Sequence, residues 1–279
     1  MKNIITAEHL NSQLHDKNLV IFDAGMVRPG LLGEYQPSAM ITHAQRFDFK
    51  KQLADVSNPL PNMMCTSEQF ARQMRLAGVN NDSLVVVYED QGLFSAARAW
   101  WMFKAMGFDN VKVLSGGLEK WLAAGYPTQN EYSQSQQHGD FISHPRSNYF
   151  INAEQVLAAI DDRNSVLFDA RSLQRFNGEQ AEPRAGMRSG HIPNSIAMPL
   201  TSVLANGELK TLAELKRMFA RYVSRDSQLQ FSCGSGVTAC ALALCADECG
   251  YNHLSVYDGS WSEWGARHEL AIETGTELS

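Results

Sequence analysis

Two stretches of this chain are written twice. Val20-Ile21-Phe22-Asp23-Ala24 returns as Val166-Leu167-Phe168-Asp169-Ala170, and Leu114-Ser115-Gly116-Gly117-Leu118-Glu119-Lys120-Trp121 returns as Tyr257-Asp258-Gly259-Ser260-Trp261-Ser262-Glu263-Trp264. The spacing between the two stretches is nearly the same in both halves, so the chain reads as a tandem duplication in which each half folds as one copy of a single unit. Within each copy, short apolar runs (20–22, 84–88 and 111–114, then 166–168, 229–231 and 254–257) alternate with helix-like patterns. That alternation implies parallel strands covered by helices. The predicted fold is α/β: two tandem domains over 1–126 and 150–279, each a mainly parallel sheet flanked by helices, joined by a linker over 127–149. At 279 residues and 44% hydrophobic content the chain can supply a core for each domain. The linker opens on a polar, aperiodic stretch, 127–139, while Phe141, Ile142, Tyr149 and Phe150 offer apolar side chains that can strap it to a surface. The tail 273–277 is expected to be a solvated end.

The copies differ at one loop. After Leu229-Gln230-Phe231 the second copy reads Cys233-Gly234-Ser235-Gly236-Val237-Thr238-Ala239 and runs into the helix-like Cys240-Ala241-Leu242-Ala243-Leu244. Two glycines let consecutive backbone N–H groups curl toward one point, and the positive end of the helix that follows adds to the field there. An anion on sulfur is favoured in such a setting, which makes Cys233 the candidate nucleophile. A cysteine that merely packs in a core needs no flanking glycine loop. Cys240, Cys245 and Cys249 fall at core-like spacing on the helix and Cys65 in a loop, so core filling is the better reading for each. The absence of a Cys-x-x-Cys pair argues against a zinc or dithiol site. Superposing the repeats sets Asp90 of Tyr88-Glu89-Asp90-Gln91-Gly92 opposite Cys233, so the first copy is expected to act as scaffold and as one wall of a cleft.

Charge and composition narrow the partners. A formal charge of −6 and the lack of any Lys/Arg run argue against nucleic acid. No apolar run approaches membrane-spanning length, and Met1-Lys2-Asn3-Ile4-Ile5-Thr6-Ala7-Glu8-His9 turns polar too early for a signal core. Five cysteines without framework spacing suit a reducing compartment, and a cytoplasmic protein with no membrane partner is expected.

The tandem units, a first loop without a nucleophile, and Cys-Gly-Ser-Gly-Val-Thr in the second together resemble the two-domain rhodanese superfamily of sulfurtransferases over nearly the whole chain. Each domain is thereby expected to be rhodanese-like, the first non-catalytic and the second catalytic. The loop is most similar to that of 3-mercaptopyruvate sulfurtransferases, whose cysteine is followed by Gly-Ser/Thr-Gly, whereas thiosulfate sulfurtransferases typically carry Cys-Arg-Lys-Gly. Thiosulfate is a dianion that gains from two cations at the loop, while mercaptopyruvate has one carboxylate that can be gripped elsewhere. Tyrosine phosphatases place an arginine six positions after their cysteine, where this chain has Ala239.

The resemblance implies roles for named residues. Arg175 and Arg184, in Asp169-Ala170-Arg171-Ser172-Leu173-Gln174-Arg175 and Glu182-Pro183-Arg184, match the two arginines that hold the donor's carboxylate and carbonyl. Backbone N–H groups of Gly234, Ser235, Gly236, Val237 and Thr238 are expected to stabilise the anionic sulfur, and the Ser235 hydroxyl to help move a proton. Thr238 opens the helix and is placed to cap it. Arg188 is left without a role and Arg171 reads as structural; 258–264 reads as a turn with core aromatics. Some members pair the loop serine with an acidic residue and a histidine from the first domain. Those positions fall here on Lys50 and Asn62, neither of which can reproduce such a relay. The first copy also lacks a counterpart to Gly190-His191-Ile192-Pro193 near residues 37–44.

The implied activity is transfer of sulfane sulfur from 3-mercaptopyruvate, through a Cys233 persulfide, to a thiol, a thioredoxin-like partner or cyanide, releasing pyruvate with no metal or organic cofactor. Two alternatives stay open at this point: a thiosulfate:cyanide sulfurtransferase, and a non-catalytic persulfide carrier.

Overall fold

The duplication is repeated in the strand order. The computed structural model describes residues 1–28, 30–90 and 92–275. Its first sheet runs Ile4–Ile5, Val111–Leu114, Leu84–Tyr88, Leu19–Asp23, Gln45–Arg46, and its second runs Phe150–Ile151, Leu254–Tyr257, Gln228–Ser232, Ser165–Asp169, Ile196–Ala197. Position for position the two orders correspond, and all pairings within them are parallel. The central three strands of each sheet are the apolar runs of the sequence. The two-residue edge strands are too short to carry a periodic signal. In Leu84–Tyr88 three successive valines favour the extended chain, and four of the five residues are buried, as a strand covered on both faces requires.

Helices Ala96–Ala105 and Ala239–Cys249 follow the corresponding central strands of the two repeats. Both are apolar nearly all the way round, which is the pattern of a helix with no solvent face. They pack against each other and merge the two cores into one hydrophobic cluster containing Trp100, Trp101, Leu242 and Leu244. Smaller clusters around Trp121 and around Trp261 and Trp264 close the outer faces. The C-terminal ends of the parallel strands, where ligands bind in sheets of this kind, therefore meet at the junction of the halves.

Aromatic side chains strap the connecting segment down. Thr128–Gln129 pairs antiparallel with Met40–Ile41. Phe141 is buried against Phe70 and Phe108, at 5.8 and 5.5 Å between ring centroids. Tyr149 lies 4.6 Å from Trp101, whose indole N–H donates to the Tyr149 carbonyl at 3.1 Å. Ile142 stays exposed.

The tail is exposed over 273–275, as expected, but it is also anchored: Glu273 and His191 exchange backbone hydrogen bonds at 3.0 and 2.8 Å, and the Gly275 N–H reaches the Asn177 carbonyl at 2.9 Å. Thr276 and Glu277 lie outside the described residues. The first copy also keeps the turn whose sequence it lacks. Ala44 donates to the Ile41 carbonyl at 2.9 Å as Ser195 does to that of Ile192 at 3.1 Å. His43 and Asn194 take the same left-handed position, at φ 68° and 60°. Backbone geometry survived there while the residue types drifted.

Candidate active site

Strand Gln228–Ser232 delivers Cys233 to the floor of a cleft of about 380 Å³. The thiol is buried, with 2% of the residue exposed. Arg175, Arg184, Ser235, Val237 and Thr238 line the cleft from the second repeat, and Met26, Arg28 and Phe94 from the first, which thus supplies the opposite wall. A cavity of this size fits a small molecule.

The segment read as a turn with core aromatics is the support of the loop. Ser260 Oγ accepts from the N–H groups of Cys233 at 3.2 Å and Gly236 at 3.1 Å, and donates to the Tyr257 carbonyl at 2.7 Å. Ser262 Oγ donates to the Gly234 carbonyl at 2.6 Å. Two expectations for the loop are corrected by this arrangement. The Gly236 N–H is committed to Ser260 and unavailable to sulfur, whereas those of Gly234, Ser235, Val237 and Thr238 have no acceptor among the described residues. Thr238 makes no side-chain cap, because its backbone is already helical at φ −71°, ψ −19°, and a capping residue needs an extended backbone to reach back.

Arg184 is half-buried and donates to Ser262 Oγ at 3.1 Å and to Ser235 Oγ at 3.4 Å. Burial pushes its pKa down, and the nearby Cys233 pulls it back up. Arg175 grips the Glu182 carboxylate through Nε at 3.2 Å and through Nη2. Its guanidinium also stands over Gly234, where an added Cβ would lie 3.1 Å from Nη2. Glu182 is shared: Arg171 Nη1 donates to it at 2.8 Å, while Arg171 Nη2 binds Asp169 at 2.6 Å and the Gly190 carbonyl at 2.9 Å. The Arg171 guanidinium carbon stands over the Trp261 ring, 4.2 Å from its centroid, so it organises the wall that presents Arg175. Arg188 donates to the carbonyls of Trp264, Gly265, Arg267 and Leu270 and ties down the C-terminal segment.

Residues of the first repeat enter the loop itself, which the sequence reading missed. Arg98 is fully buried and donates through Nη1 to Asp258 at 2.7 Å and the Gly236 carbonyl at 3.0 Å, and through Nη2 to the Asn62 carbonyl at 2.6 Å. Asn62 Nδ2 in turn donates to Ser235 Oγ at 3.0 Å and to the Ser235 carbonyl at 3.2 Å. Lys50 is exposed, its backbone N–H turned onto Asp48 at 3.0 Å. Of the two relay positions, then, only Asn62 reaches the loop. Arg98 had a legible signal, a lone charge inside the apolar helix Ala96-Ala97-Arg98-Ala99-Trp100-Trp101.

The residue opposite Cys233 is Glu89, not Asp90. Tyr88 pairs with Asp23 as Ser232 pairs with Asp169, so the next residues correspond. Leu118 donates to the Glu89 carbonyl at 2.8 Å as Trp261 does to that of Cys233 at 3.0 Å. The Glu89 carboxylate accepts from the Ser95 N–H at 2.7 Å, Ser95 Oγ at 2.8 Å, the Ala96 N–H at 3.3 Å and the Phe94 N–H. Burial pushes its pKa up to about 7 against the pull of those donors.

The model of the Rhodanese-like domain family matches residues 6–124 and 152–267, and the chain belongs to that family. The 3-mercaptopyruvate sulfurtransferase of Escherichia coli K12 is 38% identical over 275 residues, covering 96% of this chain and 97% of the relative. That of Mus musculus is 37% identical over 268 residues, covering 94% and 90%. The thiosulfate sulfurtransferase of Gallus gallus is 37% identical over 218 residues, covering 77% and 74%. The crystal structure of the 3-mercaptopyruvate sulfotransferase SseA from Escherichia coli superposes with a TM-score of 0.83 at 34% identity, covering 94% of this chain and all of that one. Among the described residues, no helix is long and apolar enough to cross a membrane.

Proposed function

We propose that the chain moves sulfane sulfur from 3-mercaptopyruvate to a thiol or cyanide by double displacement through a Cys233 persulfide. The observation that carries this reading is the placement of Cys233 on the cleft floor with Arg175 and Arg184 above it and unaccepted loop N–H groups around it. The Cys233 thiolate attacks the donor sulfur, the carbon–sulfur bond breaks, and the bonding pair leaves with pyruvate as its enolate, which then takes a proton. Arg184 and Arg175 hold the carboxylate and carbonyl and so align the sulfur with the thiolate. The N–H groups of Gly234, Ser235, Val237 and Thr238 stabilise the sulfur anion in both half-reactions. A small thiol, a thioredoxin-like protein or cyanide then attacks the outer sulfur and restores Cys233. A cytoplasmic setting fits a chain whose five cysteines are all free thiols.

The names of the relatives support this donor, and the lack of a cation at Gly234 and Ser235 favours it over thiosulfate. The 37% identity to a thiosulfate sulfurtransferase makes thiosulfate the donor to test beside it. Steady-state pyruvate release from mercaptopyruvate, measured against thiocyanate formation from thiosulfate and cyanide, decides between them. The intact mass should rise by one sulfur atom after brief exposure to the donor, and Cys233→Ser should abolish both that gain and turnover. Turnover retained in Cys233→Ser removes the mechanism.

A further inference from the structure

The Ser235 side chain of the catalytic loop is held from both repeats. Its hydroxyl oxygen receives Asn62 Nδ2 at 3.0 Å and Arg184 Nη2 at 3.4 Å. The orientation of the Asn62 amide is settled by chemistry: the same atom lies 3.2 Å from the Ser235 carbonyl oxygen, which can only accept, so it must be the nitrogen. A hydroxyl has two lone pairs and one proton. Both lone pairs are occupied by N–H donors, which leaves the proton free to point into the cleft that Ser235 lines beside Cys233.

Asn62 is itself over-determined. It is 7% exposed, sits at φ 62° in the left-handed region that asparagine tolerates, and has its carbonyl clamped by Arg98 at 2.6 Å. The same guanidinium holds the Gly236 carbonyl at 3.0 Å, so one buried cation fixes the distance between the asparagine and the loop. The Asn62 amide does not titrate and turns its nitrogen, which can only donate, toward Ser235. It cannot draw the serine proton away, as a basic partner would.

We infer that Asn62 is a positioning residue that locks Ser235 as a fixed hydrogen-bond donor to the anion formed in the cleft, in place of a proton relay. This rests on the proposed sulfur transfer, in which the enolate and the thiolate are the anions such a donor would meet.

A double-mutant cycle tests it, run with mercaptopyruvate and with thiosulfate. Asn62→Gly keeps the left-handed backbone and removes the amide; Asn62→Asp keeps the shape and replaces the donor by an acceptor. Each should lower kcat by about tenfold with KM changed less than about twofold, the loss expected for one misdirected hydrogen bond. Neither should lower kcat further in a Ser235→Ala background, where a merely structural asparagine would still cost activity. Losses that multiply across the cycle, or that fall in KM alone, overturn the assignment. Thermal melts accompany each variant, and because the cycle is read from two substitutions, one misfolded variant still leaves it decided. Wild-type turnover of thiosulfate without pyruvate release from mercaptopyruvate would reject the donor while the thiosulfate cycle still judges Asn62; turnover of neither rejects both.

Discussion

Glu89 and Cys233 occupy one position in two copies of the same loop. Each follows the central strand directly, and each carbonyl accepts the equivalent N–H, from Leu118 and from Trp261. In the first copy the carboxylate folds onto the N–H groups of Phe94, Ser95 and Ala96 at the start of helix Ala96–Ala105. The first repeat thus fills with its own side chain the kind of cradle that the second repeat opens toward the cleft. The shared architecture is an anion site at a helix start. In one repeat the cradle holds a structural carboxyl group; in the other it faces the reactive sulfur.

That internal carboxylate gives the fold a pH dependence. Burial raises the folded pKa of Glu89 to about 7, above its ordinary 4.5, so the folded state binds the proton more tightly than the unfolded one. Its contribution to stability is therefore complete below about pH 4.5 and is lost as pH rises through about 7, by up to ~3 kcal/mol. Urea titrations of wild type and Glu89→Gln should differ in slope between about pH 4.5 and 7, where the wild type loses stability and the variant stays flatter. Parallel curves would show that Glu89 does not titrate there.

Much of this fold was legible because a duplication states its pattern twice. The central strands at 84–88, 111–114 and 254–257 were read to the residue, and Cys233 stood out by the apolar run before it, its glycine loop and the helix-like run after it. What escaped was whatever depends on contacts between the halves. Asn62 looked inert because its role lies in an amide meeting a serine 173 residues away. Ser260 and Ser262 looked like parts of a turn, since a hydroxyl supporting a distant backbone has no local signature. The equivalence of Asp90 with Cys233 failed by one residue, which strand register resolves and sequence similarity does not.

The two arginines of the cleft should not be equal. Arg175 has its fork on Glu182, while Arg184 is held, among the described residues, by the hydroxyls of Ser235 and Ser262 and keeps its charge for a ligand. Replacing Arg184 by Ala should weaken mercaptopyruvate use by about tenfold to a hundredfold, as the loss of a charge-assisted hydrogen bond implies. Arg175→Ala should cost less in kcat/KM than Arg184→Ala. Steady-state kinetics with both variants decide it, and a larger loss for Arg175 would place the carboxylate on that side instead.

Arg98 joins the halves through a buried ion pair with Asp258 at 2.7 Å, the guanidinium fully enclosed. Removing it strands the Asp258 carboxylate, which retains the Met64 N–H at 2.8 Å but loses its cation. Arg98→Met should destabilise the chain by about 3–5 kcal/mol, the usual cost of breaking a buried pair. Adding Asp258→Asn should recover part of that loss, because the stranded charge disappears. Chemical denaturation of the wild type and the two variants is the measurement, and a cost below about 1 kcal/mol for Arg98→Met would mean that the helix packing alone holds the halves together.

The two loop glycines should respond oppositely to a methyl group. Gly236 sits at φ +70°, where an added Cβ would lie 2.6 Å from the Asp258 carbonyl oxygen and 3.1 Å from Arg98 Nη1. Backbone on one side and a clamped guanidinium on the other leave nothing that can yield. A non-glycine residue held at positive φ costs of order 1–3 kcal/mol before any clash is counted. Gly234 lies outside the left-handed region, and its Cβ would meet only the tip of Arg175 at 3.1 Å, the far end of a flexible side chain. Gly234→Ala should therefore stay within about 0.5 kcal/mol of wild type in stability. Its effect should appear as a few-fold rise in KM for the donor, through displacement of Arg175, with kcat little changed. Gly236→Ala should lose stability by at least ~2 kcal/mol and transfer activity with it, since the loop can no longer hold its bond to Ser260. Thermal melts and kinetics on the pair settle the matter: equal tolerance at both positions would mean that the loop is free to rearrange, and that the N–H cradle around Cys233 is not set in advance of the donor.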